Sequence, residues 1–185
     1  MSLEHDRARL SQILSRYSVR RGGEFKLASG KSSNVYCDAR VTTCRAQAMP
    51  LIGRLFLNEI ATRGWRPHAV GGLTMGADPI VIAVARESLD SAIPMNAFLV
   101  RKEPKGHGKG RQIEGLADEE TALDVVIVED TSTTGGSALK AIDAAREAGH
   151  RVLGAITLVD REEGAREAVE AAGYPFAAIF RIAEL

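Results

Sequence analysis

Apolar side chains change their period several times along this chain. Leu10, Ile13, Leu14 and Tyr17 recur at intervals of three and four, which predicts an amphipathic helix over residues 6–20 that Arg21-Gly22-Gly23 ends. Phe25 and Leu27 then alternate with polar neighbours, a Ser/Gly/Asn turn follows at 29–34, and residues 35–38 read as the second strand of a hairpin. Met49, Ile52, Leu55, Phe56 and Ile60 share one face of a helix predicted over 45–63. The remainder alternates strictly. Strands are predicted at 69–72, 95–100, 124–128, 152–159 and 176–182, with helices at 77–88, 137–148 and 164–172 between them. Asp78-Pro79 suits the first turn of its helix, and Gly149 stops another. Residues 125–128 are uninterruptedly apolar, as a strand covered on both faces requires. Strands alternating with helices predict an α/β fold, a parallel doubly wound sheet flanked by helices. With 185 residues the expectation is a single domain, residues 1–43 forming much of a small N-terminal hood. One stretch, 101–121, has no period at all, and unstructured segments of that length inside compact domains are usually functional or mobile.

Composition narrows the chemistry. Basic and acidic side chains balance at 24 each, so no global positive field favours nucleic acid, and any anion site must come from local clusters. Cys37 and Cys44 are the only cysteines, too few for a disulfide framework or a Cys-rich zinc site, and are read as idle thiols. The first residues carry no apolar signal stretch, and the longest apolar runs are far too short to span a bilayer. The expected location is the cytoplasm.

The most informative segment is Glu129-Asp130-Thr131-Ser132-Thr133-Thr134-Gly135-Gly136-Ser137, after the apolar strand and before a helix. Ligands of open α/β sheets bind at the carboxyl ends of strands. Glycines let a backbone approach an anion closely, a helix N-terminus presents unpaired N–H groups, and hydroxyls add donors. These residues describe a cradle for a monophosphate. Two carboxylates beside a bare phosphate would repel it. They make sense if the phosphate is carried by a sugar, because carboxylates accept hydrogen bonds from ribose hydroxyls and stabilise positive charge on a ribosyl ring. Neither a Walker A loop nor G-x-G-x-x-G is present.

Residues 101–111 hold five cations (Arg101, Lys102, Lys105, Lys109, Arg111), His107 and three glycines, with one acid. A solvated surface loop has this composition; so does a lid that closes over a polyphosphate. Val70-Gly71-Gly72-Leu73-Thr74-Met75-Gly76 forms another strand–loop–helix corner whose amides suit a second phosphate. Arg161 ends a later strand on the same sheet edge, where it can pair with a carboxylate, whether of a ligand or of Glu162 or Glu163.

Taken together these motifs resemble the orotate phosphoribosyltransferase family of type I phosphoribosyltransferases, in order and over nearly the whole chain. The acid pair and Thr/Gly loop resemble the signature for 5-phosphoribosyl 1-diphosphate (PRPP), and Arg-Lys-x-x-Lys-x-His at 101–107 resembles the family's catalytic loop. The resemblance implies transfer of a 5-phosphoribosyl group from PRPP to orotate, giving orotidine 5′-monophosphate and pyrophosphate. It implies PRPP contacts from Arg101, Lys102, Lys105, His107 and residues 129–137, with Lys105, His107 and Asp130 catalytic. Orotate would be held by Thr133 and Arg161. The cofactor implied is Mg2+, held through substrate and water near Asp130 rather than by a protein cage. A homodimer is implied in which the 101–111 loop reaches the neighbouring subunit's site. Two departures stand out. Thr74-Met75 replaces a Tyr-Lys found in some relatives, and Ala28 replaces a phosphate-contacting Lys for which Lys26 or Lys31 is a candidate substitute. A purine or uracil salvage phosphoribosyltransferase shares the cradle, and a PRPP-binding regulator shares the fold; both are weighed against the orotate reading.

Overall fold

The computed structural model describes residues 2–26, 32–103, 112–117 and 119–185. Its first helix, α1 (Leu3–Tyr17), starts earlier than its apolar period because Ser2 caps it, accepting the His5 N–H, and Glu4 and Asp6 complement the first-turn dipole. It also ends sooner. Val19 and Arg20 pair with Cys37 and Tyr36, so the residues expected as the last helical turn belong to strand β1 (Val19–Lys26), antiparallel to β2 (Ser32–Cys37). A short helix, α2 (Arg40–Thr43), follows. The next, α3 (Met49–Thr62), begins four residues later than the apolar pattern suggests. Pro50 lacks the N–H that a fuller preceding turn would need, and its place in the first turn sets the start.

The main sheet is built from β3 (Ala69–Leu73), β4 (Asn96–Val100), β5 (Ile113–Glu114), β6 (Asp124–Ser132), β7 (Arg151–Asp160) and β8 (Phe176–Arg181), in the spatial order β5-β4-β3-β6-β7-β8. Strands β4, β3, β6, β7 and β8 run parallel. The exception is β5, an antiparallel edge strand two residues long inside the segment without a period, too short to show one. Helices α4 (Asp78–Ser88), α5 (Gly136–Glu147) and α6 (Ala165–Ala171) connect the strands.

The sheet separates two apolar layers, and alternation along β6 assigns its side chains to them. Val126 and Val128 join Leu10, Ile52, Phe56 and Ile80 on the α1, α3 and α4 side. Val125 and Ile127 join Phe98, Ile142 and Phe176 on the α5 side. All of these are buried, which at about 25 cal/mol per Å² of apolar surface is the main force holding helices to sheet. Asp6, buried on α1, accepts bonds from Arg54 of α3 at 2.7 and 3.1 Å and fastens the N-terminal helix to that layer. Among the described residues no helix is long and apolar enough to cross a membrane.

Candidate active site

The site arises from a mismatch in strand length. β3 pairs with β6 only as far as Gly71 opposite Ile127, whereas β6 continues along β7 to Ser132 opposite Asp160. The winding direction reverses between β3 and β6, so the unpaired flank of residues 129–132 opens onto the crevice where ligands of doubly wound sheets bind. A cavity of about 890 Å³ lies there. Its walls are residues 36–40 from β2 and the turn into α2, residues 73–76 after β3, Lys102 and Glu103 after β4, residues 129–131 and 133–137, Lys140 of α5, and Arg161 after β7.

Strand geometry sends the two acids to different sides. Asp130 continues the alternation of Val126 and Val128 and lies over Gly76. Glu129 continues that of Val125 and Ile127, toward α5 and Ser137. Burial pushes the Glu129 carboxyl up to about 7, with a further upward push from Asp130, while hydrogen bonding from Ser132 and Ser137 favours the ionised form. Asp130 is raised by burial too, opposed by the Thr131 backbone and by the positive charge of Arg40. Arg40 itself is held by Asp38 through bonds of 2.9 and 3.0 Å, and that pair forms part of the cavity wall.

Beside the acids lies an anion cradle. Helix α5 has no side-chain cap; its N-cap, Gly135, has φ 82°, a left-handed conformation that glycine adopts without strain. A Cβ on Gly136 would meet almost nothing, so the backbone there is bare to the cavity. Uncapped first-turn amides and the hydroxyls of Thr133, Thr134 and Ser137 together suit a phosphate. The opposite wall, residues 73–76, contains a cis peptide between Thr74 and Met75, and the Thr74 hydroxyl donates to Asp78 Oδ2 at 2.7 Å. The Thr74 side chain is thus engaged with the start of α4.

Arg161 is buried yet lines the cavity. Its guanidinium donates to Glu163 at 2.9 Å, to the Val35 carbonyl at 3.1 Å and to Ser33 Oγ at 3.3 Å. The ion pair with Glu163 is therefore present, and the same side chain also joins the main sheet to the hairpin. Cys37 faces the cavity with its thiol pushed up to about 11 by burial, so it stays protonated and inert as a nucleophile at neutral pH.

Of the residues singled out from the sequence, Glu129, Asp130, Thr131, Thr133, Thr134, Gly135, Gly136, Ser137, Lys102 and Arg161 converge on this cavity. Two do not line it. Ser132 is buried behind Glu129, and Arg101 is exposed beside Glu114 at 3.5 Å. Ala28, Lys31, Lys105 and His107 lie outside the described residues, as does the side chain of Lys26. Sequence reasoning passed over Lys140 and the Asp38–Arg40 pair. Lys140 stands one helical turn from Ser137 on the same face, a spacing that would have revealed it. Nothing local marks Asp38 or Arg40.

No protein-family model matches the chain. Individual relatives do. An orotate phosphoribosyltransferase of Aquifex aeolicus is 44% identical over 182 residues, covering 97% of each chain. Among solved structures, the orotate phosphoribosyltransferase of Mycobacterium tuberculosis in complex with Fe(III) dicitrate superposes with a TM-score of 0.84 at 43% identity, covering 97% of this chain and 98% of its own. The same enzyme in complex with PRPP gives 0.80 at 41% identity with the same coverage. Identity at this level sustained from one end to the other, in sequence and in backbone, means that the chain belongs to the orotate phosphoribosyltransferase family.

Proposed function

We propose that this chain is the pentosyltransferase that joins orotate to PRPP, yielding orotidine 5′-monophosphate and pyrophosphate in pyrimidine biosynthesis. In the reaction the bond from ribose C1 to pyrophosphate oxygen breaks, a bond from orotate N1 to C1 forms, and the N1 proton is lost. The observation that carries the reading is the overrun of β6 beyond β3, which sets Glu129 and Asp130 beside the uncapped start of α5 in one cavity. A phosphorylated pentose satisfies both halves of that arrangement.

The 5′-phosphate is assigned to the amides and hydroxyls of residues 133–137. Glu129 and Asp130 accept hydrogen bonds from the ribose hydroxyls, and their charge stabilises the oxocarbenium-like ring as the leaving group departs. Thr133 and Arg161 are assigned to orotate, the guanidinium meeting its carboxylate. Lys102, with Arg101, Lys105 and His107 of the basic segment, is assigned to the pyrophosphate. Catalysis then rests on positioning, leaving-group neutralisation and exclusion of water, without a covalent intermediate.

The donor set fits Mg2+. Asp130 offers a hard carboxylate oxygen at the cavity wall, and the ion would be bound mainly through substrate phosphates and water beside it. When bound, it supplies charge neutralisation for the pyrophosphate. The reading further includes one domain across residues 1–185 with 1–43 as a hood, a cytoplasmic location, and a homodimer in which residues 101–111 serve the neighbouring site. The single domain and hood are read from chain length and the N-terminal pattern, and the homodimer from the family resemblance.

The test is formation of orotidine 5′-monophosphate from PRPP, Mg2+ and a panel of bases. Orotate alone should be turned over. Activity with adenine or uracil but not orotate would favour the salvage reading, and PRPP binding without turnover would favour a regulator.

A further inference from the structure

Ser132 differs from its neighbours in the signature. It is 1% exposed, forms no part of the cavity wall, and yet is polar at the buried end of the central strand. Its hydroxyl donates to Glu129 Oε2 at 2.6 Å, and its carbonyl accepts the Arg161 N–H at 2.9 Å. Its side chain is thus engaged with the Glu129 carboxylate, while its backbone carbonyl holds the backbone of Arg161 just past the end of β7. A buried carboxylate oxygen with no partner costs free energy, and an anchored one cannot rotate.

We infer that Ser132 is a positioning residue for ribose: by holding Glu129 Oε2 from behind the cavity wall it fixes the orientation in which the carboxylate meets the sugar. The inference rests on the reading that Glu129 grips the ribose diol. Charge-assisted O–H···O⁻ bonds at this distance are among the stronger hydrogen bonds in proteins. Among the described residues the other charged groups around the cavity are Asp130 on the same strand, Lys140 on α5, the Asp38–Arg40 pair at α2, Lys102 and Glu103 after β4, and Arg161 after β7. Of these, Asp130 is the charge that acts on Glu129, and it acts against ionisation. Two hydroxyls oppose it, the larger contribution being that of Ser132. A protonated Glu129 would present one donor where the diol needs acceptors.

The experiment is the pH profile of kcat/KM for PRPP, at saturating orotate and Mg2+, for the wild type, Ser132→Ala, Ser132→Thr and Glu129→Gln. Ser132→Ala should move the acid limb up by about one pH unit, raising the PRPP KM roughly fivefold near pH 7 and about tenfold well below it, while activity approaches wild type at high pH. Ser132→Thr, which keeps the hydroxyl, should restore the profile. Should the alanine variant fail to fold, Ser132→Cys, similar in size and a weak donor, gives the same readout. An acid limb that stays in place, or a loss uniform across pH, overturns the role of Ser132. Wild-type PRPP kinetics in Glu129→Gln would instead overturn the ribose reading beneath it, so the two failures are distinct.

Discussion

Gly76 and Asp130 are packed so closely that a Cβ on the glycine would stand 2.4 Å from Asp130 Oδ1 and 2.8 Å from Cγ. The loop after β3 and the acid on β6 therefore depend on one another, although 54 positions separate them in the chain. Gly76→Ala should push the carboxylate out of place before it disturbs the fold, since the obstructing atoms belong to a side chain. We expect kcat/KM for PRPP to fall by about tenfold to a hundredfold with little change in Tm. Steady-state kinetics alongside thermal unfolding check this; intact kinetics would mean that the exact seat of Asp130 does not matter.

Glu129 should cost stability. Its carboxyl is raised from an ordinary 4.5 to about 7, so between those values the folded chain keeps a proton that the unfolded chain has lost. Stability accordingly falls as pH rises through that window, and the full cost is present above about 7. Glu129→Gln removes it and should stabilise the protein at pH 8 by roughly 1–3 kcal/mol, with little effect near pH 4.5. Denaturant titrations at the two pH values measure the difference. Equal shifts at both would show that the carboxylate does not titrate in this range.

Arg161→Lys tests the planar fork. Lysine keeps the charge but cannot reach Glu163, Val35 and a substrate carboxylate in the same geometry. The orotate KM should rise about tenfold or more, the PRPP KM far less. An unaltered orotate KM would place the base elsewhere.

Lys105 lies outside the described residues, and its role is implied by the resemblance of the basic motif to the family's catalytic loop. Lys105→Ala should lower kcat much more than it weakens orotate binding, because negative charge on the departing pyrophosphate grows toward the transition state. Undiminished turnover would remove this lysine from the leaving-group side of the reaction.

The acid pair and the glycine-rich cradle were legible because they occupy nine consecutive positions, so that one strand and one helix start suffice to bring them together. The parallel alternation was legible for the same reason, each element announcing itself by its own period. Errors fell where tertiary pairing or an imino acid overrode periodicity. Residues 19 and 20 left the helix for a ladder with β2, and Pro50 delayed α3. Arg161 was visible as a strand-end cation, but its bond to the Val35 carbonyl spans 126 positions and could not be read from spacing.

What the chain determined by itself is therefore local: which segments are strand or helix, and which chemistry each strand end carries. What the tertiary structure decided is convergence. Asp38 and Arg40 joined the cavity, Lys140 turned into it, and Ser132 and Arg101 stayed off its wall. Those outcomes depend on how far β6 runs beyond β3 and how α5 is rotated against the sheet, quantities set by packing between residues remote in sequence. Local periodicity places a side chain on a face of its own element; only the packing of elements against one another decides what that face meets.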